Sequence, residues 1–408
     1  MKRKVTAGVF AAIMAASLMM GGVQVKAAGS DYSDEIGGTK TTNFDKYLVM
    51  DQDANVPNVT FTYTVTAGTA KAYDMNGKKF QILAGVDADK VTMAGVGATG
   101  AAANTIVYKQ GDTTAQDENA LVKDYNKDKE KYAKKTATLD FSACNFNEPG
   151  IYRYILTESG TNQAVTNDAD ATRVIDVYVN DDSNAEGKKL TIAGYVLHSN
   201  TNDEPDVSMG ENNGSAGSYT DTKSQGFTNT YDTSDLTFRK EVAGNQASHD
   251  KYFEFTVKIE SATAGTVYDV DISEADATSK TNAATIDANA GKENPTKLTV
   301  GADGTVTQKF YLQHGQEIKI EGIAKDTTYS VIENAEDYKS EAAAVTGYTD
   351  AVNGTIASAD LKTSYKNTRD GVIPTGVVMT VAPFAVAVVL GGAGVVTFAG
   401  KKKREDEE

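Results

Sequence analysis

A single cysteine, Cys144, stands in a chain of 408 residues. No disulfide can therefore close within one copy, and a chain with this cysteine content, if exported, needs some other staple. Tryptophan is absent, which leaves 20 Tyr and 13 Phe to supply the large aromatic packing. Six prolines and 36 glycines fit ordinary loops and exclude a fibrous repeat. The three histidines, His198, His249 and His314, are too few and too scattered for a catalytic triad or a zinc site. No Gly-Lys-Ser phosphate loop is present. Asp51-Gln52-Asp53-Ala54-Asn55 begins like a calcium loop, but Val56 stands where glycine is needed and Thr62 where glutamate is needed. Asp124-Tyr125-Asn126 fails in the same way. Neither a metal nor another cofactor is expected. Basic residues are also short, 40 against 56 acidic, for a formal charge of −16. That balance argues against nucleic acid or an anionic membrane as a partner and fits the solvated surface of an exported protein.

The two ends of the chain are addresses more than structure. Met1 to Lys4 is basic, Val5 to Val23 is apolar and small, and Val25-Lys26-Ala27 offers a small-x-small cleavage pattern. Residues 1–27 thus read as a secretory signal peptide. At the other end, 377–400 is an uncharged apolar run long enough to span a bilayer, and Lys401-Lys402-Lys403-Arg404 follows it as a cytoplasmic stop.

Between the ends lie many short strand candidates and few helical runs. Residues 28–42 are polar and glycine-rich, a flexible leader. Asn58 to Thr66 alternates cleanly, with Phe61, Tyr63 and Val65 on one face and Thr on the other. Thr136 to Ser142, Gly150 to Glu158, Arg173 to Val179, Leu190 to His198 and Gly226 to Tyr231 also read as strands. Gly95 to Asn104 reads as a loop, and the charged run Asp117 to Lys135 as at most a short exposed helix. A second set follows: Leu236 to Ala243, Tyr252 to Ile259, Lys297 to Val300, Thr305 to Leu312, Glu317 to Ile320, Tyr329 to Glu333 and Thr363 to Thr368. Ala275 to Glu293 is small and polar, a loop. Such a pattern predicts an all-β chain of two tandem β-sandwich domains, 43–232 and 235–369, with a terminal segment at 370–408. Cys144 precedes Phe146 by two residues, so an extended chain would put both on a core face. A buried inert thiol and a thioester with a glutamine are the two readings for it.

The joint between the two domains, GFTNTYDTSDLTFRKEV from Gly226 to Val242, carries Asn229 at the end of one set of strands and Lys240 at the start of the next. Lys46, in NFDKYL, begins the first set, and Asn367, in SYKNT, ends the second. Each set also has a Glu on an aromatic-rich strand: Glu158 in IYRYILTE and Glu333 in TYSVIE. With LTFRKEVAG, LQHGQEIKI and EDYKSE in the second half and FNEPGIYRYILTE and GFTNTY in the first, the chain resembles the major (backbone) pilins of Gram-positive bacteria, most closely the streptococcal type.

That resemblance implies immunoglobulin-like domains end to end, each closed by a self-formed Lys–Asn isopeptide bond. Lys46 and Asn229 would be the partners in the first and Lys240 and Asn367 in the second, with Glu158 and Glu333 as the catalytic proton relays. Val372-Ile373-Pro374-Thr375-Gly376 is similar to a sortase sorting signal in its Pro-Thr-Gly form, cut between Thr375 and Gly376. The Tyr-Pro-Lys motif of many pilins is missing, and in the streptococcal type the acceptor lysine lies just before the Asn-bearing strand. Lys223 occupies that place, with Lys188 and Lys189 as the next candidates. The implied partners are sortase, neighbouring subunits, cell-wall peptidoglycan and a host ligand. The implied location is the wall or pilus, reached from a precursor anchored in the membrane, and no substrate is turned over. The alternative is a wall-anchored adhesin of the same fold that does not polymerise.

Overall fold

The computed structural model describes residues 32, 36–75, 78–119, 121–184, 187–199, 224–274, 285–287, 292–342 and 345–372. The signal peptide, the apolar run 377–400, Lys223 and Pro374-Thr375-Gly376 lie outside the described residues. So does most of the polar stretch from Ala275 to Glu293.

Among the described residues the regular structure is β-strand apart from one turn of 3-10 helix at Ala88–Lys90. In chain order the first unit contains β1 Gly37–Gly38, β2 Thr41–Asp51, β3 Val59–Ala67, β4 Lys71–Met75, β5 Lys78–Ala84, β6 Thr92–Met93 and β7 Thr105–Tyr108. It continues with β8 Thr114–Ala115, β9 Glu130–Asp140, β10 Gly150–Ser159, β11 Val165–Thr166, β12 Thr172–Asp181, β13 Leu190–His198 and β14 Gly226–Tyr231. The second unit has β15 Thr233–Ala243, β16 Phe253–Glu260, β17 Val267–Glu274, β18 Thr285–Asp287, β19 Lys292–Glu293 and β20 Lys297–Thr299. After these come β21 Val306–Leu312, β22 Gln316–Ala324, β23 Thr328–Glu333, β24 Lys339–Ala342, β25 Asn353–Thr355 and β26 Leu361–Thr368.

Each unit is a sandwich of two sheets. In the first, the sheet β1-β13-β12-β10-β3-β7, with the β4–β5 hairpin on β10, faces the sheet β11-β14-β2-β9-β6, with β8 on β9. In the second, β20-β17-β22-β15-β26-β24 faces β21-β16-β23-β25. Side chains alternate across a strand, so every second residue enters the core. Phe61 and Tyr63 of β3, Tyr152, Tyr154 and Leu156 of β10, and Phe227 and Tyr231 of β14 fill the first core. Phe238, Phe253, Phe255, Phe310, Ile318 and Ile320 fill the second. In both units the first and last long strands are neighbours and run parallel: β14 on β2, and β26 on β15. A parallel pair needs a crossover, here the rest of the domain, so the residues these two strands bring together are far apart in sequence.

Several elements differ from the expectation. Among its described residues the charged run up to Lys135 holds no helix; its end, from Glu130, belongs to β9 and pairs with β2 along its whole length. Tyr132 and Ala133 are buried there, Tyr132 against Tyr47 on the outer side of the sheet. Gly37 and Gly38 already pair with β13, so the first sheet starts ahead of residue 43. The strands β4, β5, β7 and β17 were not expected, although Tyr268, Val270 and Ile272 of β17 alternate into the core as a strand should. Cys144 and Phe146 are both buried, but from a turn and an irregular stretch after β9. Burial pushes the Cys144 thiol up to about 11, which leaves little thiolate at neutral pH.

A polar seam joins the two sandwiches. Lys319 of β22 pairs with Asp53 at 2.9 Å, Asn55 donates to Asp269 at 2.7 Å, and Thr233 donates to Asp51 at 2.7 Å. Gly322, at φ +62°, sits where a Cβ would come within 2.6 Å of the Ala54 Cα. Only a residue without a side chain permits that approach.

Candidate functional site

Lys46 belongs to the core parity of β2, in series with Phe44, Leu48 and Met50, and its side chain is fully buried. Lys240 is its counterpart on β15, in series with Leu236, Phe238 and Val242, and is equally buried. Asn229 shares a face with Phe227 and Tyr231, and Asn367 is likewise buried. Glu158 continues the inward series Tyr152, Tyr154, Leu156, and Glu333 follows Tyr329 and Val331. Three polar side chains in each sandwich thus occupy positions that the strand period reserves for apolar ones, which is costly unless they satisfy one another.

They do meet. The parallel register sets Lys46 opposite Phe227 and Lys240 opposite Tyr365, so each Asn lies two residues past its lysine's partner, on the same face. In the first sandwich Lys46 Nζ is 2.9 Å from Oε1 and 2.7 Å from Oε2 of Glu158. Asn229 Nδ2 donates to the same Oε1 at 2.8 Å. In the second, Lys240 Nζ contacts Glu333 Oε1, to which Asn367 Nδ2 donates at 3.0 Å. One carboxylate oxygen therefore touches both nitrogens in each cluster. The amines also lie over aromatic rings, Lys46 at 4.3 Å from the Phe61 centroid and Lys240 at 4.2 Å from that of Phe253.

Burial shifts each amine toward its neutral form. Burial lowers both Lys46 and Lys240 to about 8, against the opposing pull of their glutamates. An unprotonated lysine has the lone pair that a nucleophile needs, and an ammonium does not.

Several partners of these clusters were not expected. Tyr63 donates to Glu158 Oε2 at 2.6 Å. Phe255 takes the equivalent place beside Glu333 and has no hydroxyl; Ser340 of β24 donates to Glu333 Oε2 instead, at 2.7 Å. The repeat of Phe61-x-Tyr63 as Phe253-x-Phe255 is visible in the sequence and could have flagged the floor of both pockets. The carboxamide oxygen of Asn229 accepts the Asp168 backbone N–H at 2.9 Å. Asn167 Oδ1 accepts a second bond from Asn229 Nδ2 at 3.1 Å. Lys188 and Lys189 are exposed on the connection between β12 and β13.

Of the histidines, His249 and His314 stack at 4.1 Å in the second unit, while His198 is buried beside Asp176 in the first. Asp53, third in the failed calcium loop, is engaged with Lys319.

Residues 234–369 match a family described as a domain of unknown function, DUF7601. A pilin of Streptococcus pyogenes serotype M1 is 25% identical over 380 residues, which are 90% of this chain and 92% of that protein. The crystal structure of the major pilin from Streptococcus pyogenes aligns with a TM-score of 0.49 and 18% identity, covering 81% of this chain and 99% of that one. The major pilin protein T3.2 from serotype GAS13637 of the same species aligns at 0.46 and 20%, over 81% and 100%. Over nearly its whole length, then, this two-sandwich chain is similar in sequence to a streptococcal pilin.

Proposed function

We propose that this protein is a structural subunit of a surface pilus, stapled internally by two Lys–Asn isopeptide bonds and joined to its neighbours by sortase. The convergence of Lys, Glu and Asn at the same register in both sandwiches carries the reading, because one chance cluster would not recur with the same two-residue offset. Similarity to a pilin along 90% of the chain supports it.

The chemistry follows from the geometry. Glu158 accepts a proton from the Lys46 ammonium, which the dry pocket already disfavours. The free amine attacks Asn229 Cγ, held beside it by the strand pairing, so no bimolecular encounter is needed. Glu158 Oε1, within hydrogen-bond reach of both nitrogens, relays protons from Nζ to Nδ2. The Cγ–Nδ2 bond breaks and ammonia leaves. Lys240, Glu333 and Asn367 repeat the scheme. Each reaction happens once per molecule, so the protein is a product of its own chemistry and not an enzyme. Export by the signal peptide, cleavage between Thr375 and Gly376, and attachment to neighbouring subunits and peptidoglycan complete the proposal.

Intact-mass spectrometry of the folded, secreted chain tests it. The mass should fall short of the sequence by two ammonia molecules, and digests should contain Lys46–Asn229 and Lys240–Asn367 linked peptides. An unmodified mass rejects both bonds.

A further inference from the structure

The two clusters differ at the atom where charge develops. Attack on a carboxamide turns its oxygen into an oxyanion, and a donor aimed there in advance stabilises the transition state. Asn229 Oδ1 already accepts the Asp168 N–H at 2.9 Å. Asn367 Oδ1 is buried with no hydrogen-bond partner among the described residues.

Asp168 lies in the connection between β11 and β12, where no sheet ladder holds its amide. A web around Arg173 does so instead. Arg173 Nη2 pairs with Asp168 Oδ2 at 2.7 Å, and Nη1 donates to the carbonyls of Asp170 at 2.6 Å and Thr172 at 2.9 Å. Its Nε donates to the Gly226 carbonyl at 2.7 Å, and its guanidinium lies 4.4 Å from the Phe227 ring. Asp168 Oδ2 also accepts the Thr228 N–H at 2.9 Å. The buried pair thus ties the connection to β14 on both sides of the strand segment that leads to Asn229. A simple staple between loop and strand would leave the amide free to point elsewhere; here it points at Oδ1.

We infer that the Asp168 backbone N–H is the oxyanion donor for the Lys46–Asn229 reaction, that Arg173 is the positioning residue which aims it, and that the first-domain bond consequently forms before the second. The inference rests on the isopeptide reading. In the step, Lys46 Nζ bonds to Asn229 Cγ and the carbonyl electron pair moves to Oδ1, facing the Asp168 N–H. Glu158 gives a proton to Nδ2 and takes one from Nζ; the Cγ–Nδ2 bond breaks, ammonia departs and the carbonyl reforms. Amine and carboxamide become amide and ammonia, with no oxidant or further reactant.

The test is a pulse of synthesis of the full chain, with intact mass and linked peptides followed over time in wild type, Arg173→Ala and Arg173→Lys. In wild type the Lys46–Asn229 peptide should appear first. Arg173→Ala should delay it by at least about tenfold, given that losing an oxyanion donor outright costs about a hundredfold or more. The Lys240–Asn367 peptide should keep its rate, and Arg173→Lys, which can still pair with Asp168, should recover part of the loss. Thermal unfolding in a Glu158→Ala background, where no first-domain bond forms, separates folding from chemistry. If Arg173→Ala does not fold there, Asp168→Asn replaces it and should give a smaller delay, since it keeps the N–H and weakens only the ion pair. A Lys46–Asn229 bond that forms at the wild-type rate in the variant used overturns the inference, as does a second-domain bond that forms first. A wild-type chain with no Lys46–Asn229 link at any time removes the underlying reading instead.

Discussion

The Lys240 amine is held by Glu333 in a buried pocket floored by Phe253. Two predictions belong to these side chains. In Asn367→Ala no second-domain bond can form, and Lys240 remains a free amine with a folded-state value of about 8 against roughly 10.4 when unfolded. Below about pH 8 both states hold the proton and the cost of burying it is fully felt. Between about pH 8 and 10 only the unfolded chain holds it, so stability should rise with pH, by at most roughly 1.4 kcal/mol per unit. Above that window the buried tyrosines oppose the trend, since burial raises Tyr365 to about 12 and its unfolded form ionises first. The measurement is the difference in unfolding free energy between Asn367→Ala and Asn367→Ala with Lys240→Met; a difference that stays flat with pH refutes the depressed lysine. The second prediction is that Glu333→Ala leaves the Lys240–Asn367 bond unformed in a domain that still folds, with lower melting temperature and protease resistance. A crosslinked peptide in digests of that variant would exclude Glu333 as the relay.

At the scale of strands, the deciding feature is the parallel pairing of first and last. Register and parity together put Lys and Asn on the inner face of one sheet, toward the Glu of the facing sheet, and a shift of one residue turns a side chain to the other face. Exchanging Thr228 and Asn229 keeps the composition and the strand but moves the carboxamide outward. The first ammonia loss should vanish from the intact mass while the second remains. Retention of both losses would mean that the strand slides to restore the contact.

For the whole molecule, the two proposed bonds would turn two sandwiches into two closed loops. Each would join the first and last strands of a domain across more than a hundred residues, and loop-entropy reasoning derived for disulfides gives about 5 kcal/mol for such a closure. Load applied at the ends of a domain would then pass through covalently joined neighbours, and no reductant would open them. A pilus backbone also needs covalent bonds between subunits. Lys223→Ala should collapse the ladder of multimers in a wall extract to a single band, leaving wall attachment and both internal bonds in place. A persisting ladder moves the acceptor elsewhere, with Lys188 and Lys189 next in order.

The sequence by itself determined most of the strand periods and the division into two similar sets, while the six residues that converge were paired through the resemblance to pilins. Lys46 and Lys240 stand out because each interrupts an apolar face of its own strand, and that parity is a local property of the chain. What surrounds them is not local. Tyr63, Ser340 and the Asp168 amide reach the clusters through sheet pairing and connections that no short window of sequence encodes. The same holds for β9: one buried aromatic, Tyr132, in a run of charges gives almost no strand signal until β2 is present to pair with it. Only the tertiary structure decided that the two clusters, alike in Lys, Glu and Asn, are completed by different donors. A hydroxyl or an N–H can be brought to a buried acceptor from any element that passes nearby, whereas the strand period fixes which residue of a strand faces inward.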